Sequence, residues 1–245
     1  MSATFPPSTM RPAHNFDRKV EEMKPSKSDI NWVIMDYLVS EGYPSAAEKF
    51  AQETNICSPE DINSIKERVN IRNSIHAGRL DDAIQMINEV DTQILDHNRA
   101  LHWSLLQLQL IEIIRPILKK YGSTNPPSNE WVPVLQFATE QLAPQAPTHQ
   151  DYQTALNNTM ALTIFSEDKM PVETKQLLDL KLRETVANRV NKAILESRGQ
   201  RSEAKIRQLV RARAWAEAQA REAKVDLPAF PIPIGLEPAG EAMVS

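Results

Sequence analysis

Between Leu101 and Ile114 the chain reads LHWSLLQLQLIEII, and its apolar positions do not fit one helical stripe. Leu105, Leu106, Leu108, Leu110, Ile111, Ile113 and Ile114 point in several directions at 3.6 residues per turn, so this helix must be covered on several sides. Such a helix belongs at the centre of a bundle or inside an interface. Earlier in the chain, Ile30, Val33, Ile34, Tyr37 and Leu38 recur at i, i+3, i+4, i+7 and i+8, which predicts a helix capped at Ser28 or Asp29 and ended by Gly42. Pro44 restarts a second helix, with Ala46, Ala47, Phe50 and Ala51 as its packing residues. A pair of about thirty residues is below the ~40 at which a segment buries enough surface to fold alone. It needs a second copy or the helices that follow.

Ser58-Pro59-Glu60-Asp61 resembles a helix start, with a capping serine and proline at the first position. That helix runs through Ile62, Ile65, Val69 and Arg72 to Gly78, and a shorter one carries Leu80, Ala83, Ile84 and Ile87. Pro116 either kinks the apolar helix or begins its next turn. A loop with Pro126 and Pro127 follows, from Ser123 to Asn129. Further helices are expected at about 130–142, 149–165, 172–181, 183–197 and 201–223. No strand alternation is found, so the fold class is all-α. The first 27 residues and the last 20 or so, 226–245, read as tails. Gly42, Gly78, Gly122 and Gly199 each follow a helical pattern, where a left-handed residue ends a helix at little cost.

Composition narrows the function. With 245 residues and 41% hydrophobic content the chain can build real cores, and a net charge of −4 creates no overall basic field for nucleic acid or an anionic membrane. One cysteine, Cys57, excludes an intramolecular disulfide and the zinc sites of a RING or finger, which points to a reducing compartment. No signal-peptide pattern and no run of about 18 uncharged apolar residues occurs, so the expectation is a soluble cytoplasmic protein, with the nucleus as a second compartment.

Catalytic, metal and cofactor residues find no candidates. His97 and His102 stand five apart, off the i, i+4 spacing of a helical metal pair. His76, beside Gly78, suits a helix C-terminus, and His14 and His149 fall in expected flexible or helix-start segments. Cys57 lacks an activating context. Asp81, Asp82, Glu89, Glu112 and Glu184 are expected on polar faces or at helix starts rather than as an acid–base pair. No glycine-rich phosphate loop is present. The helix with Arg201, Lys205, Arg207, Arg211, Arg213 and Arg221 is the strongest rival signal, for phosphates. Glu203, Glu217 and Glu222 interrupt it and Ile206, Leu209 and Val210 begin an apolar face, favouring a solvated or acid-facing role. Trp32, Trp103, Trp131 and Trp215 read as core or interface anchors.

Residues 71–115, IRNSIHAGRLDDAIQMINEVDTQILDHNRALHWSLLQLQLIEIIR, closely resemble the CTLH motif. DINWVIMDYLVSEGYPSAAEKFAQET resembles a LisH motif, through Tyr37, Leu38, Glu41, Gly42, Tyr43, Ala47, Phe50 and Glu53. VLQFATEQLAPQAP, ALNNTMALTIF and LLDLKLRETVANRVNKAIL resemble the CRA region, which departs from the family pattern at Ser166 to Pro171 and again in the arginine-rich end. The chain thus resembles the LisH-CTLH-CRA family, with LisH at 28–58, CTLH at 59–120, CRA at 121–200 and a C-terminal helix at 201–225. The order of motifs, with no SPRY domain before them and no RING after, is most like a small scaffold member in the multisubunit glucose-induced degradation (CTLH) E3 ubiquitin ligase. That resemblance implies a non-catalytic role without cofactors. Its implied partners are a larger LisH-CTLH-CRA subunit with a SPRY domain, RING-bearing subunits, an armadillo-type repeat subunit and a second copy through LisH. It further implies turnover of gluconeogenic enzymes in fungi. The partner-binding face of LisH would be Ile30, Val33, Ile34, Tyr37, Leu38, Tyr43 and Phe50. Leu101, Trp103, Leu105, Leu108, Ile111 and Ile114 would serve as core or as partner-binding residues of CTLH. The alternative is a stand-alone dimeric LisH adaptor in cytoskeletal or nuclear transport.

Overall fold

A computed structural model describes residues 15–58, 60–122, 124, 126–165 and 170–225. His14, Pro59, the family departure at 166–169 and the expected tail at 226–245 lie outside the described residues. Twelve α-helices and no strand are present among those described: α1 (Asn15–Glu22), α2 (Lys27–Glu41), α3 (Pro44–Thr54), α4 (Ile62–His76), α5 (Leu80–Val90), α6 (Gln93–His97), α7 (Arg99–Tyr121), α8 (Val132–Phe137), α9 (Gln150–Ala161), α10 (Val172–Gln176), α11 (Lys181–Ser197) and α12 (Lys205–Glu222). They divide into two compact units. Of the described residues, one holds those of 15–41, 45–58 and 203–225, the other those of 42–44 and 60–202.

In the smaller unit, α2 starts at Lys27, ahead of the expected cap. Ser26 Oγ accepts from the Asp29 backbone N–H at 3.1 Å, and Asp29 Oδ2 accepts from the Ser26 N–H at 3.2 Å. This reciprocal pair satisfies two orphan donors, so Ser26 is the cap in place of Ser28 or Asp29. A second correction concerns the N-terminal tail: residues 15–22 form α1. Phe16 and Val20 share one face of that short helix, four residues apart, and both are exposed.

The larger unit is built around α7, one continuous helix that runs through Pro116 without ending there. Its Leu101, Leu105 and Leu108 pack with Ile71 and Ile75 of α4, Leu80, Ala83 and Ile87 of α5, and Val186, Val190 and Ile194 of α11. Its Trp103, Leu106, Leu110, Ile111, Ile114 and Ile117 pack on the other side with Val134, Ala138, Leu142, Leu162 and Met170. Two cores therefore share one helix, which is why no single stripe describes its sequence. The α4 start also differs from the reading of Ser58-Pro59: the helix begins at Ile62, after an extended Asp61 (ψ 135°). Glu60 is turned inward there, and only 6% of its surface is exposed. The four helix-ending glycines all have positive φ, from 56° to 79°.

Candidate functional site

The expected LisH face divides in two. On α2, Met35 and Val39 are buried, whereas Ile30 and Ile34 remain exposed at 46% and 37%. At about 100° per residue the buried pair lies roughly 140–180° around the helix from Ile30, so α2 is apolar on opposite sides. The inward side went unread in the sequence because apolar residues surround this helix. Val33, Tyr37, Leu38 and Phe50 are half-buried, and Tyr43 is exposed. Trp32 is exposed at 43%, so it does not sit in a core of this chain.

The arginine-rich α12 packs against α2 within the same unit. Asp36 Oδ2 accepts from the Lys205 backbone N–H at 2.6 Å, placing an anion at the positive end of α12. Arg207 meets Glu41 at 2.8 Å, Arg211 meets Glu203 at 2.8 Å, and Arg213 and Arg221 meet Glu217 at 2.6 and 3.6 Å. These guanidiniums are turned to carboxylates of the chain itself, which weakens the phosphate-binding rival. Leu209 and Trp215 stand on the outer side of α12, with 57% and 68% of their surfaces exposed.

In the larger unit all six marked α7 residues, Leu101, Trp103, Leu105, Leu108, Ile111 and Ile114, are buried within the chain's own cores. Trp103 stacks on Tyr152 of α9, with ring centroids 4.5 Å apart and planes 9° from parallel. Exposed apolar residues of this unit lie elsewhere, among them Val132 and Leu135 of α8, Ile164, and Val172 of α10. None of these four was marked from sequence, since short helices between prolines give too few turns to show which face is free.

Two charge clusters are the other feature missed. Glu112, expected on a polar face, accepts from Arg183 Nε at 2.8 Å and stands 3.2 Å from Arg115 Nε. Burial pushes its carboxyl up, but the Arg183 and Arg115 guanidiniums outweigh this and hold it below the usual carboxylate range. The second cluster gathers Glu60, Ser64, Arg68, Asn191 and Arg198. Arg68 donates to Glu60 Oε2 at 2.7 Å and to Asn191 Oδ1 at 2.8 Å, and Arg198 donates to Glu60 Oε1 at 3.3 Å and to Ser64 Oγ.

His97 Nδ1 lies 3.0 Å from the Gln93 carbonyl, and His102 is half-buried, its pKa lowered by burial against a smaller opposing pull from Asp96. Cys57 is exposed. Among the described residues no group of three or more His, Cys, Asp or Glu could hold a metal ion, and no helix is long and apolar enough to cross a membrane. A groove of about 270 Å³ beside Gly78 is lined by Asp81, Asp82, Gln109 and Glu112. Asp81 accepts from Gln109 and Glu112 is committed to two arginines, so neither is poised as a general base.

Comparison with known proteins matches these parts to named families. Residues 28–54 match LisH, and residues 64–221 match "CTLH/CRA C-terminal to LisH motif domain". "GID complex subunit 8" of Schizosaccharomyces pombe is 33% identical over 223 residues, 91% of this chain and 92% of that protein. "Protein GID8 homolog" of Arabidopsis thaliana is 35% identical over 210 residues, 86% of this chain and 81% of the relative. Human "Ran-binding protein 9" is 30% identical over 117 residues, only 16% of its own length. The similarity to the first two spans both compact units, and the chain belongs to the LisH-CTLH/CRA family, in the branch of the glucose-induced degradation protein 8 homologues.

Proposed function

We propose that this chain is a non-catalytic scaffold subunit of the GID/CTLH E3 ubiquitin ligase, joining RING-bearing subunits to the subunits that hold substrate receptors. The observation that carries this reading is the alignment, along most of both chains, with a relative named as subunit 8 of the GID complex. Outward apolar side chains on α2, α8 and α12 support it, because a scaffold needs several separate contact faces. Its partners are a larger LisH-CTLH-CRA subunit with a SPRY domain, the RING subunits, an armadillo-type repeat subunit and, through the Ile30 and Ile34 face, a second LisH. It acts in the cytoplasm and nucleus. Holding ligase and receptor together raises the effective concentration of substrate lysines at the charged conjugating enzyme, and by resemblance the substrates include gluconeogenic enzymes. Affinity purification of the tagged full chain followed by mass spectrometry tests this. Recovery of the RING, SPRY and armadillo-type partners is expected; recovery of cytoskeletal or transport proteins without any RING subunit would favour the stand-alone adaptor.

A further inference from the structure

Helices α4 and α11 run antiparallel. Arg198, just past the end of α11, meets Glu60 and Ser64 at the start of α4, and Arg183 in the first turn of α11 donates to the His76 carbonyl at the end of α4 at 2.8 Å. Between these ends the contact is aliphatic and repetitive. Val186, Val190 and Ile194 recur every four residues on α11, as do Ile71 and Ile75 on α4. Sliding one helix along the other by a turn again sets aliphatic against aliphatic, so this seam by itself distinguishes poorly between alignments.

Arg68 breaks the repeat. It stands three residues before Ile71 and seven before Ile75, in the same stripe of α4, and its side chain is 1% exposed. Its guanidinium is held on one side by Glu60, whose side chain is 3% exposed, and on the other by Asn191 of α11. A slide of one turn, about 5.4 Å, carries Asn191 and Arg198 out of reach and leaves the buried Arg68–Glu60 pair without the hydrogen bonds that α11 supplies to it. At the opposite end the same slide pulls Arg183 from Glu112 of α7. Polar residues in an apolar helix seam fix alignment in this way, since the wrong alignment leaves them unsatisfied.

We propose that the Glu60–Arg68–Asn191 layer, seconded by Arg183–Glu112, is a register lock that holds α11 on α4 in one of two nearly equivalent alignments and so fixes where α11 delivers Arg198. The lock acts through specificity rather than strength. Replacing the layer by apolar side chains of similar volume therefore leaves the helices paired but no longer uniquely aligned.

The test uses the full chain carrying Cys57→Ser, with nitroxide labels at Lys66→Cys and Glu184→Cys, two exposed positions offset along the helix pair. Pulsed electron–electron distance measurement should give one narrow distribution for this chain. Glu60→Met/Arg68→Met/Asn191→Leu should keep its helical circular dichroism and add a second population several ångströms away, as a slide of about 5 Å requires. A single native distance in that folded variant and in one that also carries Glu112→Leu/Arg183→Leu would overturn the proposal. If the triple variant does not fold, Arg68→Lys keeps the charge but loses the fork that reaches both partners. A second or broadened distance there supports the lock, and an unchanged narrow distance overturns it. Loss of folding in both variants would make the layer a plain stability element and overturn the proposal as well.

Discussion

Arg183 closes on Glu112 with two arms of its guanidinium, Nε 2.8 Å from Oε1 and Nη2 2.5 Å from Oε2, while Nη1 donates to the carbonyl of His76. One side chain thereby joins α4, α7 and α11. Gly78 makes room for it: at φ +78°, a Cβ there would stand 2.9 Å from Arg183 Nη2.

Removing one partner of such a pair leaves the other charge poorly solvated. Arg183→Ala should destabilise the fold by about 3 kcal/mol, since both side chains are largely buried. Gly78→Ala should cost about 1–3 kcal/mol, combining left-handed strain with displacement of the guanidinium. Urea unfolding followed by circular dichroism measures both; losses near zero would mean that the cluster is incidental.

Acid should weaken the larger unit in two stages. His102 has a folded pKa below its ordinary 6.5 because burial disfavours the cation. The unfolded chain therefore binds more protons below that pH, and stability falls as pH drops through 6.5 toward the folded value. Glu112, also depressed when folded, contributes stability that is present above its ordinary 4.5 and lost as pH falls through its lower folded value. Thermal melts from pH 7 to pH 3 should show both declines. His102→Gln should flatten the first, and an equally steep decline in that variant would assign it to other groups.

Leu105 and Leu108 are 0% exposed on the core side of α7 that faces α4, α5 and α11. Truncating either to alanine should cost about 2–5 kcal/mol, a large share of a domain's stability. A double variant as stable as the unmodified chain would show that this core does not hold the unit together.

How much of this was legible follows from sequence distance. The burial of α7 could be read because its leucines and isoleucines lie side by side and crowd every face of one helix. The inward face of α2 could not, since Met35 and Val39 sit among equally apolar neighbours and only tertiary packing, with α12 against α2, decides between them. The ion clusters left no local trace: Arg183 is 71 residues from Glu112, Arg198 is 138 from Glu60, and Arg207 is 166 from Glu41. Each of those residues taken singly has the pattern of a solvated surface charge. Helix α1 was read as tail because prolines precede it and its apolar residues are few.

The outward α2 face gives a prediction about partners rather than stability. Ile34→Asp with Leu38→Asp should leave the helical content of the full chain close to normal and abolish LisH-mediated association, read by light scattering with the partner subunit present. Undiminished association would place the contact on another surface.

Reconstitution of the ligase from purified subunits tests the scaffold role most directly. With this chain present as Cys57→Ser, subunits should assemble on a sizing column and ubiquitin transfer to substrate should proceed as with the unmodified chain. Without the chain, RING-bearing and receptor-holding subunits should elute apart and transfer should fall to background. Assembly and transfer that persist without it, or a ubiquitin thioester that forms on this chain and disappears with Cys57→Ser, would contradict the account.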